Sequence, residues 1–221
     1  MGDTITVKAA DGHEFSAYVA EPAGDRRGTV VVLQEIFGVN RHMRATADRF
    51  ATEGYRAVVP ALFDRVEAGV EMGYDQESLE RGKGLMAQIA IDDAVRDVAA
   101  VAEWAKPDKV AVVGYCWGGT VAWAAATRLD GLSAVISLYG GGVPGMAEET
   151  PKCPIQIHFG ETDHSIPMDR VEAFRQAQPD LPVHLYPAGH GFACDERASY
   201  HEESDRLAHR RAVDFLNERL G

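Results

Sequence analysis

The sequence predicts an α/β protein in which a mostly parallel sheet is covered by helices on both faces. Apolar runs bounded by Gly, Pro or Asp alternate with helix-like segments along the chain, which is the pattern of parallel α/β sheets. Residues 28–34 and 109–113 are almost continuously apolar and β-branched, as expected of strands buried on both faces. We find no internal repeat or low-complexity linker, and 221 residues suit one domain, so we expect a single domain over residues 1–221.

Local patterns place the individual elements in order along the chain. Alternating or continuous apolar runs predict strands at residues 14–20, 28–34, 55–60, 109–113, 133–139, 154–160 and 182–186. Amphipathic or alanine-rich segments predict helices at residues 41–53, 85–91, 92–106, 120–128, 168–178 and 199–220. Residues 62–84 are polar and rich in glycine, and we expect them to be irregular.

Composition and charge limit the classes of function. The formal net charge of −12 argues against nucleic acids and anionic membranes as partners, since both are polyanions. No apolar stretch reaches the length of a membrane span, and residues 1–20 lack the order of a signal peptide. We therefore expect a cytoplasmic protein, either a monomer or a small homo-oligomer. The cysteines, Cys116, Cys153 and Cys194, do not form the even-numbered set of a disulfide scaffold.

The segment Gly114-Tyr115-Cys116-Trp117-Gly118 is the most informative motif in the chain. It has the form G-x-C-x-G, which is the nucleophile-elbow pattern with a cysteine in place of the usual serine. A buried strand precedes it and a helix follows it, so the glycines allow a sharp turn that presents the Cys116 side chain. The first N–H groups and the positive dipole end of the helix would lie beside the sulfur. This arrangement suits a nucleophile that attacks a carbonyl while an oxyanion forms next to it.

Two further side chains are predicted at the same edge of the sheet. His190 lies in the loop after the strand at 182–186, and Asp163 lies in the loop after the strand at 154–160. Because the carboxyl ends of parallel strands meet at one edge, we expect both residues to lie near Cys116. The order of nucleophile, acid and histidine along the chain is that of α/β-hydrolases. We therefore interpret Cys116, Asp163 and His190 as a catalytic triad.

The chain resembles the dienelactone hydrolases (carboxymethylenebutenolidases), a branch of the α/β-hydrolases with a cysteine nucleophile. The matching segments are QEIFGVN at 34–40, VGYCWGG at 113–119, GETDH at 160–164 and AGHGF at 188–192. The first is the most specific of them, because generic hydrolases rarely have a glutamate there. The resemblance implies an α/β-hydrolase fold with about seven to eight strands. It also implies hydrolysis of a small-molecule ester or lactone with no metal and no organic cofactor.

The resemblance also implies roles for residues around the nucleophile. Glu35 would help to generate the Cys116 thiolate when substrate arrives, since the thiol form is the poor nucleophile. The backbone N–H groups of Ile36 and Trp117 would form the oxyanion hole. We expect the thiolate to attack the carbonyl and form a thioester, which water activated by His190 then hydrolyses.

Dienelactone hydrolases hold the substrate carboxylate with arginines, and this chain departs from that pattern. The resemblance places the first arginine at Arg81, with Lys83 as the competing cation. At the second arginine position the chain has Cys194, and Gly191 stands where the family has a serine. Arg197 is either a substitute cation or a cap of the last helix. The departures retain the hydrolase chemistry and argue against dienelactone itself as the substrate.

Several other residues have two interpretations. Phe37 and Tyr139, together with Trp117, either line a substrate pocket or pack in the core. A histidine and glutamate group in the last helix resembles a metal cluster, but a solvated helix face explains it without a metal; its members are His201, Glu202, Glu203 and His209.

Two other classes of function stay open at this point. Cys116 could be oxidised rather than acylated in a redox-responsive thiol protein, which would need a resolving cysteine close to it. The chain could also be a ligand-binding member of the same fold without catalysis, since fold alone does not fix function. Retention of all three triad residues argues for hydrolysis over both alternatives.

Overall fold

The computed structural model describes residues 2–221 and confirms the predicted α/β architecture with its mostly parallel sheet. The eight strands are β1 (Asp3–Lys8), β2 (Glu14–Ala20), β3 (Thr29–Leu33), β4 (Arg56–Pro60), β5 (Val110–Tyr115), β6 (Ala134–Leu138), β7 (Ile155–Gly160) and β8 (Val183–Tyr186). The α-helices are α1 (Arg41–Thr52), α2 (Gln76–Met86), α3 (Ile91–Trp104), α4 (Trp117–Arg128), α5 (Met168–Ala177) and α6 (Glu202–Leu220). Short 3-10 helices lie at Leu62–Arg65 and Val143–Met146.

The strands form one sheet in the order β1-β2-β4-β3-β5-β6-β7-β8. The two pairings of β2 are antiparallel, and every pairing from β4 to β8 is parallel. The register brings the carboxyl ends of the parallel strands together: Tyr115 is opposite Leu138, and Gly160 is opposite Tyr186. The loops that follow these strands therefore share one edge of the sheet, where sites of open α/β sheets form.

The helices cover the sheet in two groups. Helices α3 and α4 pack against each other on one face, while α1 and α6 are joined by the Arg49–Asp205 ion pair on the other. Every residue of β3, β5 and β6 is buried, which explains their continuously apolar sequences. The core thus lies on both sides of the central strands and holds the site edge rigidly.

The structure corrects the sequence prediction at two elements. Strand β1 was not predicted, although its residues alternate against β2 across the edge of the sheet. Helix α2 begins at Gln76, inside the segment expected to be irregular, and ends at Met86 rather than continuing to residue 91. Its Asp75 N-cap accepts a hydrogen bond from the Ser78 N–H at 2.8 Å, and the buried Gly82 and Leu85 pack this helix onto the protein despite the low helix propensity of glycine.

Within residues 2–221, the helices are all too short or too polar to cross a bilayer.

Candidate active site

Cys116 occupies the strained turn between β5 and α4. Its φ of 56° lies in the left-handed region, which non-glycine residues rarely adopt and which often marks functional sites. The flanking glycines are required by close packing, since a Cβ at Gly114 would overlap the Gly118 carbonyl and a Cβ at Gly118 would overlap the Leu33 carbonyl. The sequence therefore folds here into the sharp elbow that its glycine pattern predicted, with the sulfur at the start of α4.

The structure brings Cys116, His190 and Asp163 together at the edge of the sheet. The Cys116 Sγ lies 3.1 Å from the His190 Nε2, and the His190 Nδ1 lies 2.8 Å from the Asp163 Oδ2. Asp163 is buried, and its other oxygen accepts hydrogen bonds from the backbone N–H groups of Ser165 and Ile166 at 2.8 and 3.2 Å. The carboxylate is thus fixed, and it fixes the imidazole beside the sulfur.

The surroundings of His190 favour its charged, imidazolium form. Burial opposes its protonation, but the negative charge of Cys116 and the hydrogen bond with Asp163 outweigh burial and raise the pKa of His190 to about 10. An imidazolium beside the sulfur favours the thiolate, which is the reactive form of cysteine.

Ile36 and Trp117 line the same cavity as Cys116. Among residues 2–221, neither of their backbone N–H groups donates to a protein acceptor. The Gly118 N–H donates to the Gln34 carbonyl at 3.0 Å and holds the start of α4 against the loop after β3. A Cβ at Gly82 would overlap the Ile36 carbonyl, so this glycine lets α2 pack onto the same loop. The N–H groups of Ile36 and Trp117 are the ones that the resemblance assigns to an oxyanion hole, and that assignment stays a prediction.

A cavity of about 530 Å³ opens in front of Cys116 and His190. Its wall is mainly apolar and includes Phe37, which is 2% exposed and also belongs to the core. Two cations, Lys83 and Arg197, also line it. The size and lining fit a small organic molecule with one anionic group.

The prediction that Arg81 lines the substrate site was wrong. Its guanidinium pairs with Glu67 at 2.5 Å on the surface and does not reach the cavity. Residues of α2 at spacings of three and four share one face, so Leu79, Lys83 and Met86 all point into the cavity. Residue 81 is two positions from Lys83 and lies on the opposite side of the helix. Lys83, the competing cation in the sequence, is the one that lines the site.

The structure also overturns the prediction that Tyr139 lines the pocket. Its side chain is completely buried, and its ring packs edge-on against His190 and Phe192, with centroids 5.2 Å apart in each case. Tyr139 follows β6 in a left-handed conformation with φ of 38°. The Tyr139 ring therefore packs against the loop that carries His190 and does not line the cavity.

Glu35 lies beside the triad but forms its hydrogen bond with Arg197. The Arg197 Nη1 donates to the Glu35 Oε1 at 3.2 Å, and the carboxylate side chain is 1% exposed. The second oxygen, Oε2, has no hydrogen-bond partner among residues 2–221. The predicted contact of Glu35 with the Cys116 thiol is absent from this arrangement, because Cys116 is paired with His190. The carboxylate nevertheless keeps one free oxygen at the site.

Gly191 makes room for Arg197. A Cβ at Gly191 would overlap the guanidinium and lie 2.6 Å from its Cζ, and the φ of +75° disfavours any side chain there. The guanidinium also lies over the rings of Phe37 and Tyr74, at 5.8 and 5.9 Å from their centroids. The small residue at 191 therefore leaves the space that the Arg197 guanidinium fills, which gives a physical reason for glycine at this position.

The two histidines of the last helix that the sequence offered as metal ligands, His201 and His209, have structural roles. His201 caps the N-terminus of α6 by accepting from the Ser204 N–H at 3.3 Å. His209 does not lie on the solvated face that the sequence suggested, because its ring packs 5.3 Å from that of Phe50. A different set, His42, Cys194 and Asp195, comes together instead. Sequence reasoning missed it because 152 positions separate His42 from Cys194, counted from their numbers in the chain.

Comparisons with known proteins agree with this geometry. A model of the dienelactone hydrolase family matches residues 15–220. The chain is 38% identical over 213 residues to the Synechocystis sp. protein named "Putative carboxymethylenebutenolidase", with 86% of each chain covered. It is 33% identical over 228 residues to carboxymethylenebutenolidase of Pseudomonas putida, covering 98% of this chain and 96% of the relative.

A solved structure is also similar to this chain over nearly its whole length. The crystal structure titled "Putative Dienelactone Hydrolase" from Klebsiella pneumoniae is similar to this chain with a TM-score of 0.85 and 30% sequence identity. The match covers 98% of this chain and 99% of that one.

Proposed function

Because this chain belongs to the dienelactone hydrolase family and is a carboxylic-ester hydrolase of that type, we propose that it cleaves its ester or lactone through Cys116, His190 and Asp163. The observation that carries this proposal is the sulfur–imidazole–carboxylate chain, with distances of 3.1 and 2.8 Å. These are the distances at which a nucleophile, its base and the group that orients the base act together.

The reaction proceeds through a covalent acyl-enzyme. The Cys116 thiolate forms a bond to the carbonyl carbon, and the electron pair of the carbonyl moves to oxygen beside the N–H groups of Ile36 and Trp117. The carbon–oxygen bond of the ester then breaks, and the His190 imidazolium gives its proton to the leaving oxygen. A thioester on Cys116 remains.

Hydrolysis of the thioester reverses these proton movements. The neutral His190 takes a proton from water, and the resulting hydroxide adds to the thioester carbon. The carbon–sulfur bond breaks, the carboxylic acid leaves, and the thiolate is restored beside a protonated His190. Asp163 keeps the imidazole in the correct orientation and tautomer throughout.

Glu35 acts on the protonation state of the nucleophile in this proposal. Its Oε2 is buried and lacks a partner among residues 2–221, so it is available to accept the thiol proton when Cys116 is not ionised. Its Oε1 is held by Arg197. A substrate carboxylate that binds Arg197 would compete with that hydrogen bond and leave Glu35 free to act as a base.

The lining of the cavity supports an ester or lactone that carries a carboxylate. Lys83 and Arg197 supply positive charge on a wall that is otherwise formed largely by apolar side chains. A carboxylate placed between them would pair with both, while the ester lies near Cys116.

A burst experiment with p-nitrophenyl butyrate tests the triad. We expect turnover, acylation of Cys116 detected by mass spectrometry of the quenched protein, and a loss of about 10⁴-fold in Cys116→Ala. Cys116→Ser should be strongly impaired, and Cys153→Ala is the matched control that keeps full activity. Turnover that survives in Cys116→Ala would show that another residue is the nucleophile.

A pair of matched esters tests the substrate class. We expect kcat/KM for mono-p-nitrophenyl succinate to exceed that for p-nitrophenyl butyrate, and Lys83→Met to remove most of the difference by raising KM. Salt should weaken the preference as well, since the lysine is about half exposed, with 52% of its side chain accessible. Equal rates for both esters at low salt would leave the triad in place and refute the anionic substrate.

A further inference from the structure

We propose that His42, Cys194 and Asp195 form a second site, which binds a zinc-type divalent cation between α1 and the loop after β8. Each residue offers one ligand atom, and these atoms lie within 4.8 Å of one another. Thiolate, imidazole and carboxylate together are the donor set that Zn²⁺ prefers, and they also bind Co²⁺. This site is independent of the proposed triad chemistry.

The histidine of this site has an incomplete set of hydrogen bonds. His42 Nδ1 lies 3.0 Å from the Asp195 Oδ1, and the side chain is 7% exposed. Its Nε2 is buried and has no partner among residues 2–221. Buried polar atoms are nearly always paired, so the described residues leave part of the hydrogen-bonding capacity of His42 unused. The nitrogen that faces Asp195 is Nδ1, and a cation bound there together with Asp195 would leave Nε2 as the N–H of a neutral ring.

A separate cavity gives a cation access to the site. It has a volume of about 330 Å³ and is lined by His42 and Asp195 together with Arg49 and Asp205. The positive charge of Arg49 is compensated, because its Nη1 lies 3.0 Å from both carboxylate oxygens of Asp205. The cavity therefore offers an entry path and room for a fourth ligand such as water.

Binding requires modest rearrangement and loss of one proton. Ligand atoms around Zn²⁺ lie roughly 3.5 Å apart, so the three side chains must close by about 1 Å. Asp195 can move, since 67% of its side chain is exposed. The metal–sulfur bond forms to the thiolate of Cys194, so binding releases the thiol proton to solvent.

The position of the site gives the cation a structural effect. Cys194 and Asp195 belong to the same loop as His190 and Arg197, whereas His42 lies in the first turn of α1. A cation held by all three would tie the histidine loop to α1. It would stabilise the fold and restrict the loop that carries the triad imidazole.

Cobalt titration of the full-length protein, freed of metal with a chelator, tests this inference. With one equivalent of Co²⁺ we expect a sulfur-to-cobalt charge-transfer band and visible bands of tetrahedral intensity. Zn²⁺ should displace the cobalt and raise the thermal midpoint by a few °C. Cys194→Ser and His42→Gln should lose the bands, and the fold of each is checked by circular dichroism.

Two control variants assign the signal to this site. Cys116→Ser removes the other thiol that has a histidine neighbour, and Cys153→Ala removes a cysteine far from His42; both should keep the cobalt bands. Absence of any band at one equivalent of Co²⁺ would overturn the proposal. So would bands that persist in Cys194→Ser and vanish in Cys116→Ser, because they would place the metal at the triad.

Discussion

His190 and His158 are both largely buried beside the same sheet, yet their surroundings favour the charged form of His190 and the neutral form of His158. Asp163 and Cys116 contact the two nitrogens of His190, and they raise its pKa to about 10 against the effect of burial. His158, in β7, contacts the Tyr186 hydroxyl at 2.7 Å and stacks near His184. Burial, the neighbouring His184 and Arg211 hold the pKa of His158 well below 6.5.

Burial favours the neutral form of both histidines, and the charges of neighbouring groups add to this effect at His158. A carboxylate and a thiolate within hydrogen-bond distance reverse the outcome for His190, because they stabilise the imidazolium more than burial destabilises it. The consequences for stability have opposite signs. The His190 contribution is present below about pH 6.5 and is lost as the pH rises toward about 10. The His158 contribution is present above about pH 6.5 and is lost as the pH falls.

Removal of the Asp163 charge should have the largest effect on the difference between the two histidines. Asp163→Asn leaves His190 buried without its carboxylate, so we expect kcat for p-nitrophenyl butyrate to fall by about 10³- to 10⁴-fold. The pKa of His190, followed by NMR of the imidazole, should fall as well. Asp169→Asn in α5 is the control and should behave like the wild type. An unchanged pKa in Asp163→Asn would show that Cys116 alone holds the charge.

Substitution of His158 tests whether a buried neutral histidine makes the stability depend on pH. Below about pH 6.5, the wild type should lose up to about 1.4 kcal/mol of unfolding free energy per pH unit for each histidine that is kept neutral by the fold. His158→Gln should show a shallower loss between pH 6.5 and 5, measured by urea unfolding. The exposed His164→Gln should keep the wild-type slope. Equal slopes in all three proteins would exclude His158 as the source.

Neutralisation of Glu35 tests a second carboxylate close to His190 and Cys116, with a smaller expected effect. Glu35→Gln keeps the shape of the side chain and a hydrogen-bond acceptor for Arg197, so we expect the fold to be intact. We expect kcat/KM to fall by roughly tenfold, because the amide cannot accept the thiol proton of Cys116. An unchanged rate across the pH range would remove Glu35 from the mechanism.

The smallest effect is expected where Arg197 fills the space beside Gly191. Gly191→Ser should displace the guanidinium and raise KM for mono-p-nitrophenyl succinate by a few-fold, since the arginine loses its position near Glu35. The KM for p-nitrophenyl butyrate should change less. Gly189→Ser, where a Cβ meets no atom closer than 3.8 Å, is the matched control in the same loop.

Much of the site edge could be predicted from local sequence. Apolar runs fix where β5, β7 and β8 end, and the parallel arrangement then requires Cys116, Asp163 and His190 to meet. The elbow was predictable as well, because only glycines tolerate the close approach of α4 to β3. These features depend on where strands end and where the chain turns, and both are determined by residues close together in the sequence.

Which side chains meet within the site was decided by the tertiary structure. The rotation of α2 directs Lys83, and not Arg81, toward the cavity. Packing in the core buries Tyr139, and the loop after β8 places Arg197 beside Glu35. The same loop placed Cys194 beside His42 from a distant part of the chain. Local sequence determined the strands, their ends and the order of the reactive groups. Helix rotation and long-range packing determined charge partners, because these depend on contacts between segments that sequence pattern does not connect.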